Sequence, residues 1–219
     1  MYHSIGADGY DHRGIYSIEE SLFRSQIQHL KEKNDTEVVS IIDWSKGSGT
    51  LIITFDDGFS NVLTLAAPIL TSLNLPFTVF VSPVFVQADD DRYLDIQGLV
   101  ELSRIDNCTI GAHGYSHLPL TKCDDIKLKN ELENSKAWLE DTLKTQVNVM
   151  SYPHGKVDNR VRDAAALAGY KVAASSKPGG NFPNTDPLRL KRTEIWSIDD
   201  VKIFDSKING FWDWMKWVV

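Results

Sequence analysis

The sequence predicts an α/β protein built on parallel β-strands, and three observations support that fold class. Stretches with strand character alternate with helical stretches along all 219 residues, as in βαβ units. The apolar runs at 50–55 and 77–81 are continuous rather than alternating, which is typical of strands buried on both faces. No internal repeat, low-complexity tract or linker divides the chain. We therefore expect a single domain over residues 1–219.

The chain begins with a polar, glycine-rich stretch at 1–15 that carries no clear strand or helix pattern. Ser17-Ile18-Glu19-Glu20 is a capping box, and it predicts a helix over about 18–33. Residues 38–44 are apolar and fit either a short strand or a packed turn.

The remaining elements follow from apolar runs, helical stripes and capping residues. Strands are predicted at 50–55, 77–81, 109–112, 147–152, 171–175 and 188–196. Helices are predicted at 61–73, at 97–103, at 124–143, and between an Asp158 cap and Gly169. Because Pro68 falls inside the first of these helices, that helix is expected to kink there or to begin near it.

Composition excludes several classes of protein. A net charge of −7 argues against a nucleic-acid partner. The two cysteines, Cys108 and Cys123, lack CxxC spacing and predict idle thiols rather than a disulfide framework. No apolar run reaches the ~18 residues of a transmembrane segment, and the first residues do not resemble a secretory signal. The chain as given is therefore expected in the cytoplasm.

The run at 50–58 is the stretch that points most directly to function, because a buried strand ends there in two carboxylates and a glycine. The carboxyl ends of parallel strands are where α/β proteins place their active sites. Adjacent strand residues point to opposite sides, so Asp56 and Asp57 need different roles unless the chain turns at Gly58. One carboxylate could bind a metal while its neighbour acts as a base. A plain Asp-Asp-Gly turn is the alternative.

His113-Gly114-Tyr115-Ser116-His117 places two imidazoles four residues apart, directly after the strand predicted at 109–112. Two histidines and one carboxylate form a metal site that leaves coordination positions open. Such a histidine pair is common by chance. Its combination with two acids at another strand end is much more specific, and together they predict a metal site.

Together, Thr54-Phe55-Asp56-Asp57-Gly58 and His113-Gly114-Tyr115-Ser116-His117 resemble the motifs of the polysaccharide deacetylase family (NodB-like, carbohydrate esterase 4). The resemblance extends from Tyr2-His3 to about Trp196. It implies a distorted (β/α) barrel of about seven parallel strands. It also implies hydrolysis of N-acetyl groups on amino sugars with the help of a divalent metal.

The resemblance further implies a role for each motif residue. Asp57, His113 and His117 hold the metal, most simply Zn²⁺, with Co²⁺, Ni²⁺ or Mn²⁺ as alternatives, and Asp56 is the general base. The chemistry agrees, since bound Zn²⁺ lowers the pKa of water from about 15.7 to about 7 and polarises a carbonyl. A carboxylate within hydrogen-bond reach can then accept the proton of the attacking water.

Ser151-Tyr152-Pro153-His154-Gly155 resembles the third motif of the family, whose backbone near the proline supplies an oxyanion donor. Tyr152 and Pro153 are therefore predicted at the oxyanion and substrate site. The arginine that is common at the start of this motif is absent, and Met150 and Ser151 stand in its place. His154 is expected to form part of the wall rather than to bind the metal.

The leaving amine needs an acid, but the chain has no histidine after His154, so the late Leu-x-His motif is missing. The sequence instead resembles a branch in which an N-terminal Tyr-His replaces that motif. This predicts His3, next to Tyr2, as the general acid, and an exposed terminal histidine is the alternative. Arg192 is predicted to contact substrate or to orient a carboxylate such as Asp56. A surface salt bridge would explain Arg192 equally well.

Other candidates are assigned to the surface. His12 and His29 are expected on a loop and a helix surface, and Asp89-Asp90-Asp91 in a solvated loop. The tail at 205–219 is expected to pack on the barrel through its aromatic residues. These are Phe211, Trp212, Trp214 and Trp217. A peripheral contact with a lipid-linked glycan through the tryptophans is the alternative.

The sequence therefore predicts a metal-dependent hydrolase that removes an N-acetyl group from an amino sugar of a surface polysaccharide or its glycan precursor. Deformylation of an N-formyl amino sugar by the same site stays open. So does a glycan-binding protein on the same barrel with weak or lost turnover, because the late histidine and the third-motif arginine are absent. A third alternative is an α/β domain whose acids and histidines are only structural.

Overall fold

The structure is a computed structural model, and it describes residues 1–6, 14–45 and 49–213. Most of its strands are two to five residues long. They are β1 (Ser4–Ile5), β2 (Ser17–Ile18), β3 (Glu37–Val38), β4 (Thr50–Leu51), β5 (Ile53–Phe55), β6 (Phe77–Val81), β7 (Cys108–Ala112), β8 (Val149–Ser151) and β9 (Val172–Ala174). Five of them form one parallel sheet in the order β5-β6-β7-β8-β9. The pairs β1-β2 and β3-β4 form two small parallel sheets beside it.

Helices connect the successive strands of the main sheet. The α-helices are α1 (Glu20–Glu32), α2 (Ala67–Ser72), α3 (Pro83–Val86), α4 (Ile96–Ser103), α5 (Asp125–Leu143), α6 (Asn159–Leu167) and α7 (Val201–Ile208). Short 3₁₀ turns lie at Ile41–Asp43, Leu120–Lys122, Pro153–Gly155 and Pro187–Arg189. Strand-helix alternation with parallel pairing is the predicted α/β architecture.

One edge of the sheet is extended by the start of the chain. Tyr2 forms a parallel bridge to Phe55 in β5. The Tyr2 N–H donates to Thr54 O at 2.8 Å, and the Asp56 N–H donates to Tyr2 O at 3.0 Å. Residues 1–2 therefore act as a sixth strand next to β5.

The other edge is extended by the segment at 190–195, which closes the barrel. Leu190 forms a parallel bridge to Ala174 in β9, and the Ile195 N–H donates to Met1 O at 3.0 Å. Five sheet strands and these two segments thus form a closed ring of seven, which confirms the predicted distorted barrel. The strand predicted at 188–196 is present only as this closing segment, because a 3₁₀ turn occupies its first residues.

Burial follows the predicted pattern along the central strands. All five residues of β6 are buried, and so are all three of β5. The continuous apolar runs therefore do belong to strands covered on both faces, by barrel interior on one side and helices on the other.

The predicted capping box at Ser17 is wrong. Ser17 lies in β2, paired with Ser4 of β1, and its hydroxyl donates to Gly6 O at 2.6 Å. Helix α1 begins after Glu19, which makes no side-chain cap bond. Sheet pairing holds Ser17 in an extended conformation and uses its hydroxyl, so the local helix-start signal is overridden by a contact between distant residues.

The helix predicted at 61–73 has two parts. Residues Val62–Ala66 form a π-helical turn, and α2 follows from Ala67. Pro68 has no N–H to donate and its ring crowds the carbonyl four residues earlier, so the preceding turn widens. Helices α3 and α7 were not predicted. The first is a single turn and too short to show a helical period.

Within the described residues, no helix is both long and apolar enough to cross a lipid bilayer. The expected cytoplasmic location stays a prediction. Of the aromatic tail, Phe211 is 73% exposed and the Trp212 ring faces Lys207 Nζ at 5.3 Å. Trp214 and Trp217 lie outside the described residues, as does His12. The packing of the tail as a whole therefore stays a prediction as well.

Candidate active site

The chain turns immediately after the buried strand β5, at Asp57 and Gly58. Their φ angles are 73° and 76°, both in the left-handed region. This region costs an ordinary residue free energy, so the surrounding structure must hold Asp57 in place. A Cβ on Gly58 would also lie 3.3 Å from the side chain of Val81. Because the chain turns here, the two carboxylates have different partners: Asp57 faces the histidines and Asp56 pairs with Arg192. The two residues can therefore have different roles.

Asp57, His113 and His117 come together at the carboxyl ends of β5 and β7. Asp57 Oδ1 lies 3.1 Å from His117 Nε2 and 3.4 Å from His113 Nε2. One atom from each of the three residues fits within a group no wider than 4.8 Å. The structure therefore brings together the three residues predicted to bind metal, in a group that could hold a metal ion.

The chemistry of this group fits a cation. Asp57 Oδ1 is buried and accepts no well-formed hydrogen bond from the described residues. Burial by itself raises the pKa of Asp57, but the imidazoles of His113 and His117 outweigh it and hold the pKa well below its ordinary value. An ionised carboxylate facing two imidazole nitrogens is the donor set that divalent zinc takes in catalytic sites.

Ser151 fixes the orientation of the His113 ring. His113 Nδ1 lies 3.0 Å from the Ser151 main-chain oxygen and 2.5 Å from its hydroxyl. An N–H at Nδ1 that donates to the carbonyl leaves the lone pair on Nε2, which faces Asp57. The Ser151 hydroxyl also lies 3.4 Å from Asp56 Oδ1. Sequence reasoning noted Ser151 only as the position of a missing arginine.

The loop that carries both histidines is held by helix α5. The Glu131 carboxylate accepts hydrogen bonds from the main-chain N–H groups of Tyr115 (2.9 Å) and Ser116 (2.8 Å). The Ser135 hydroxyl donates to Gly114 O at 3.0 Å. Sequence reasoning missed Glu131. Its signal was an acid on the apolar face of the predicted helix, where it is only 4% exposed.

Asp56 is buried and paired with Arg192. The guanidinium donates from Nη1 to Oδ1 at 2.6 Å and from Nη2 to Oδ2 at 2.8 Å. Burial raises the pKa of Asp56, but the Arg192 charge and the nearby His113 outweigh it, and the pKa is about 2. Arg192 is 8% exposed, and its Nε donates to Ser175 O. It is therefore not a surface salt bridge, and it orients the Asp56 carboxylate.

His3 lies on the same side of the barrel as the two aspartates. It follows Tyr2, whose carbonyl accepts a hydrogen bond from the Asp56 N–H. His3 is close enough to contribute to the electrostatic environment of both Asp56 and Asp57. Its Nδ1 is buried and has no hydrogen-bond partner among the described residues. His3 is half-buried, whereas the alternative was a solvent-exposed terminal histidine.

In the third motif, neither of the two residues predicted at the oxyanion site has a main-chain N–H that is free to donate. The Tyr152 N–H donates to Ala174 O at 3.0 Å within the barrel, and the Tyr152 hydroxyl donates to Leu188 O at 2.8 Å. Pro153 has no N–H. The next N–H belongs to His154, whose φ is 59°, and the described residues provide no acceptor for it.

His154 borders the metal group, whereas His29 and the acidic loop predicted at the surface lie apart from it. The His154 ring is exposed and packs 4.7 Å from the His117 ring, as a wall residue would. His29 Nε2 is 2.8 Å from Asp205 on α7. Asp90 pairs with Arg92, so the charge of Asp90 is balanced by a neighbouring residue.

The chain is similar to known proteins both in sequence and in structure. The family described as polysaccharide deacetylase matches residues 44–173, more than half of the chain. A Staphylococcus aureus poly-β-1,6-N-acetyl-D-glucosamine N-deacetylase is 24% identical over 214 residues, covering 90% of this chain and 73% of that protein.

Two solved structures illustrate the similarity of fold. The Streptococcus pyogenes deacetylase PplD, in complex with acetate, has a TM-score of 0.84 at 20% identity and covers 94% of this chain and 95% of its own. BC0361, a polysaccharide deacetylase from Bacillus cereus, has a TM-score of 0.81 at 26% identity and covers 95% of this chain and 67% of its own.

Proposed function

The chain belongs to the polysaccharide deacetylase family, and we propose that it is a metal-dependent carbohydrate N-deacetylase. Its substrate is an amino sugar of a surface polysaccharide or its glycan precursor, from which it hydrolyses the N-acetyl group. One observation carries the proposal: Asp57, His113 and His117 form one compact group with the buried carboxylate of Asp56 beside it. The Staphylococcus aureus relative named for deacetylation of poly-β-1,6-N-acetyl-D-glucosamine supports the substrate class.

Asp57, His113 and His117 would hold the metal, and Zn²⁺ suits one carboxylate and two imidazoles best. When bound, a divalent metal supplies a water of low pKa and polarises the amide carbonyl. His113 is preoriented by Ser151, and His117 by the loop that Glu131 braces. The folded protein therefore holds these side chains in place before any substrate binds.

Asp56 is the general base of this mechanism. It stays ionised at neutral pH, because its pKa is about 2. Arg192 occupies one direction on each carboxylate oxygen, which leaves further lone pairs to accept the proton of the attacking water. A carboxylate with so low a pKa is a weak base, so proton transfer to Asp56 would depend on the more acidic water that a bound metal supplies.

His3 is the general acid that protonates the leaving amine. Its proximity to Asp56 and Asp57, together with its unpartnered Nδ1, supports this role. The oxyanion of the tetrahedral intermediate is stabilised by the main-chain N–H of His154. That N–H is the nearest one after Pro153 that is not already used within the barrel.

The proposal is tested by acetate release from N-acetylated glucosamine oligosaccharides, with metal loaded, with chelator, and with metal restored. We expect activity that chelation removes and Zn²⁺ restores. Asp57→Ala should lose bound metal and activity together. Asp56→Asn should keep the metal and lose at least 100-fold in kcat, as for removal of a general base.

A matching N-formyl substrate in the same assay separates deformylation from deacetylation by kcat/KM. Activity that persists after both Asp57→Ala and chelation would exclude this mechanism. Oligosaccharide binding without any product would leave only the glycan-binding alternative.

A further inference from the structure

A row of aromatic rings borders the candidate metal group. We call Phe59, Tyr93, Phe85 and His117 the aromatic row. The Tyr93 ring stacks on Phe85 with centroids 4.3 Å apart and on Phe59 at 4.9 Å. Phe85 in turn contacts the His117 ring at 5.2 Å. The row therefore connects Tyr93 by direct ring contacts to one of the proposed metal ligands.

The backbone of Tyr93 is attached to the turn that carries Asp57. Tyr93 forms an antiparallel bridge with Phe59. The Leu94 N–H donates to Gly58 O at 2.9 Å, and the Ser60 N–H donates to Arg92 O at 2.9 Å. Tyr93 is thus held to the turn after Asp57 by hydrogen bonds, and ring stacking holds it to Phe85, which contacts His117.

Within the described residues, the hydroxyl is the one polar group of the Tyr93 side chain, and it is free to bind a ligand. Both faces of the ring are covered, by Phe59 and by Phe85, so Tyr93 offers no open face on which a sugar could stack. The neighbouring Arg92 guanidinium is engaged by Asp90 through three contacts of 2.5 to 3.0 Å. Among the described residues the Tyr93 hydroxyl has no hydrogen-bond partner, and the side chain is half-buried.

The Tyr93 ring borders the metal group, because it stacks on Phe85, which contacts the His117 ring, and its backbone is bonded to the turn after Asp57. Burial raises the pKa of Tyr93, and the charge of Asp57 raises it further. The phenol is therefore a protonated donor at neutral pH. A donor held rigidly beside the reaction centre loses little conformational freedom when it binds a ligand.

We propose that Tyr93 is a substrate-positioning residue whose hydroxyl hydrogen-bonds a hydroxyl group of the amino sugar that carries the scissile amide. This inference rests on the proposed function, since it assumes that an amide on a sugar is delivered to the metal group. Binding sites orient ligands through a few polar groups held in fixed positions, and a phenol of this kind can donate a hydrogen bond to a sugar hydroxyl. Sequence reasoning missed Tyr93, which lies just beyond the acidic loop.

The test is Tyr93→Phe, which keeps the stacked ring and removes only the hydroxyl. Two substrates are compared: an N-acetylated β-1,6-glucosamine oligosaccharide and 4-nitrophenyl acetate, an acetyl ester without a sugar. On the oligosaccharide we expect kcat/KM to fall about 3- to 10-fold, the range of one neutral hydrogen bond, with most of the change in KM. On the ester, and in metal content and Tm, the variant should match the parent.

Tyr170→Phe is the matched control, because the buried Tyr170 hydroxyl donates to Leu132 O at 3.1 Å and is not part of the metal group. It should leave both assays unchanged. A Tyr93→Phe variant that equals the parent on the oligosaccharide overturns the inference, as does an equal loss on both substrates. If the parent protein itself shows no metal-dependent acetate release, the proposed function is wrong. The two failures are therefore distinguishable.

Discussion

At the scale of single residues, the site depends on buried charges that satisfy one another. Asp56 is 3% exposed and Arg192 8% exposed, and their bidentate pair spans 136 residues of sequence. Such a pair adds little net stability compared with apolar packing, but removing one partner leaves an uncompensated buried charge. Arg192 thus orients the Asp56 carboxylate from a position outside the third motif.

Arg192→Met should therefore destabilise the protein strongly. It leaves the Asp56 carboxylate buried without its cation, which costs about 3–5 kcal/mol of unfolding free energy. It should also lower kcat, because Asp56 loses its fixed orientation. Urea denaturation at pH 7 and acetate release measure the two effects.

Arg162→Met is the control for this prediction, since Arg162 is 36% exposed and pairs with Asp186 on the surface. Its effect on stability should stay within about 1 kcal/mol. In the double variant Asp56→Asn/Arg192→Met, much of the stability should return, because no charge is left unpaired. Additive losses in the double variant would contradict this account.

Ser151→Ala should weaken metal binding without unfolding the protein. The hydroxyl at 2.5 Å from His113 Nδ1 is lost, but the main-chain carbonyl at 3.0 Å still accepts. We expect about a 10-fold loss of metal affinity, the low end of the range for groups that orient a ligand. Competition with a metal-binding dye measures this loss. Ser103→Ala, which removes a hydroxyl bonded to Val100 O on α4, should leave the affinity unchanged.

At the scale of elements, the metal group forms because the loops that follow β5 and β7 come together next to the end of β6, the strand between them. Strands β5 and β7 flank β6, so their carboxyl ends are about 10 Å apart, twice the ~4.8 Å strand spacing. The left-handed residues Asp57 and His117 turn their loops toward each other across that gap. The Ser82 hydroxyl, just after the end of β6, donates to His113 O and so supports the loop that carries the two histidines.

The same close packing predicts a severe cost at Gly111 in β7. A Cβ there would lie 2.5 Å from Phe80 and 3.0 Å from Val149, both in the core. Gly111→Ala should therefore lower the unfolding free energy by about 1–3 kcal/mol, the usual cost of overpacking. Gly180→Ala is the matched control, because the nearest atom to its Cβ is 3.7 Å away. Equal stability of the two variants in thermal denaturation would contradict the packing described for β6 and β7.

At the scale of the whole molecule, ring closure brings the ends of the chain to the site. Residues 1–2 pair with β5, the 190–195 segment pairs with β9, and the two segments pair with each other. His3 and Arg192 reach Asp56 only because the barrel closes between them. The site therefore draws on both ends of the described chain, and local unfolding at either end should disturb it.

A metal that bridges loops of the folded barrel should also stabilise it. A ligand that binds only the folded state at 100 times its Kd adds about 2.7 kcal/mol, or roughly 5–10 °C in Tm for a chain of this size. We expect this rise when Zn²⁺ is added to chelated protein, followed by thermal denaturation. The rise should be absent in Asp57→Ala. An equal rise in both proteins would mean that the ion binds elsewhere.

The sequence alone determined the α/β class, the buried strands and the two motifs that form the metal group. Those features are local, because strand burial, turn chemistry and histidine spacing are read from neighbouring residues. The tertiary structure decided which distant groups complete the site: Arg192 on Asp56, Ser151 on His113, Glu131 under the histidine loop and Tyr93 at its edge. It also showed that the Tyr152 N–H is used within the barrel. These pairings depend on ring closure and strand order, and no local pattern records which residues the folded chain brings into contact.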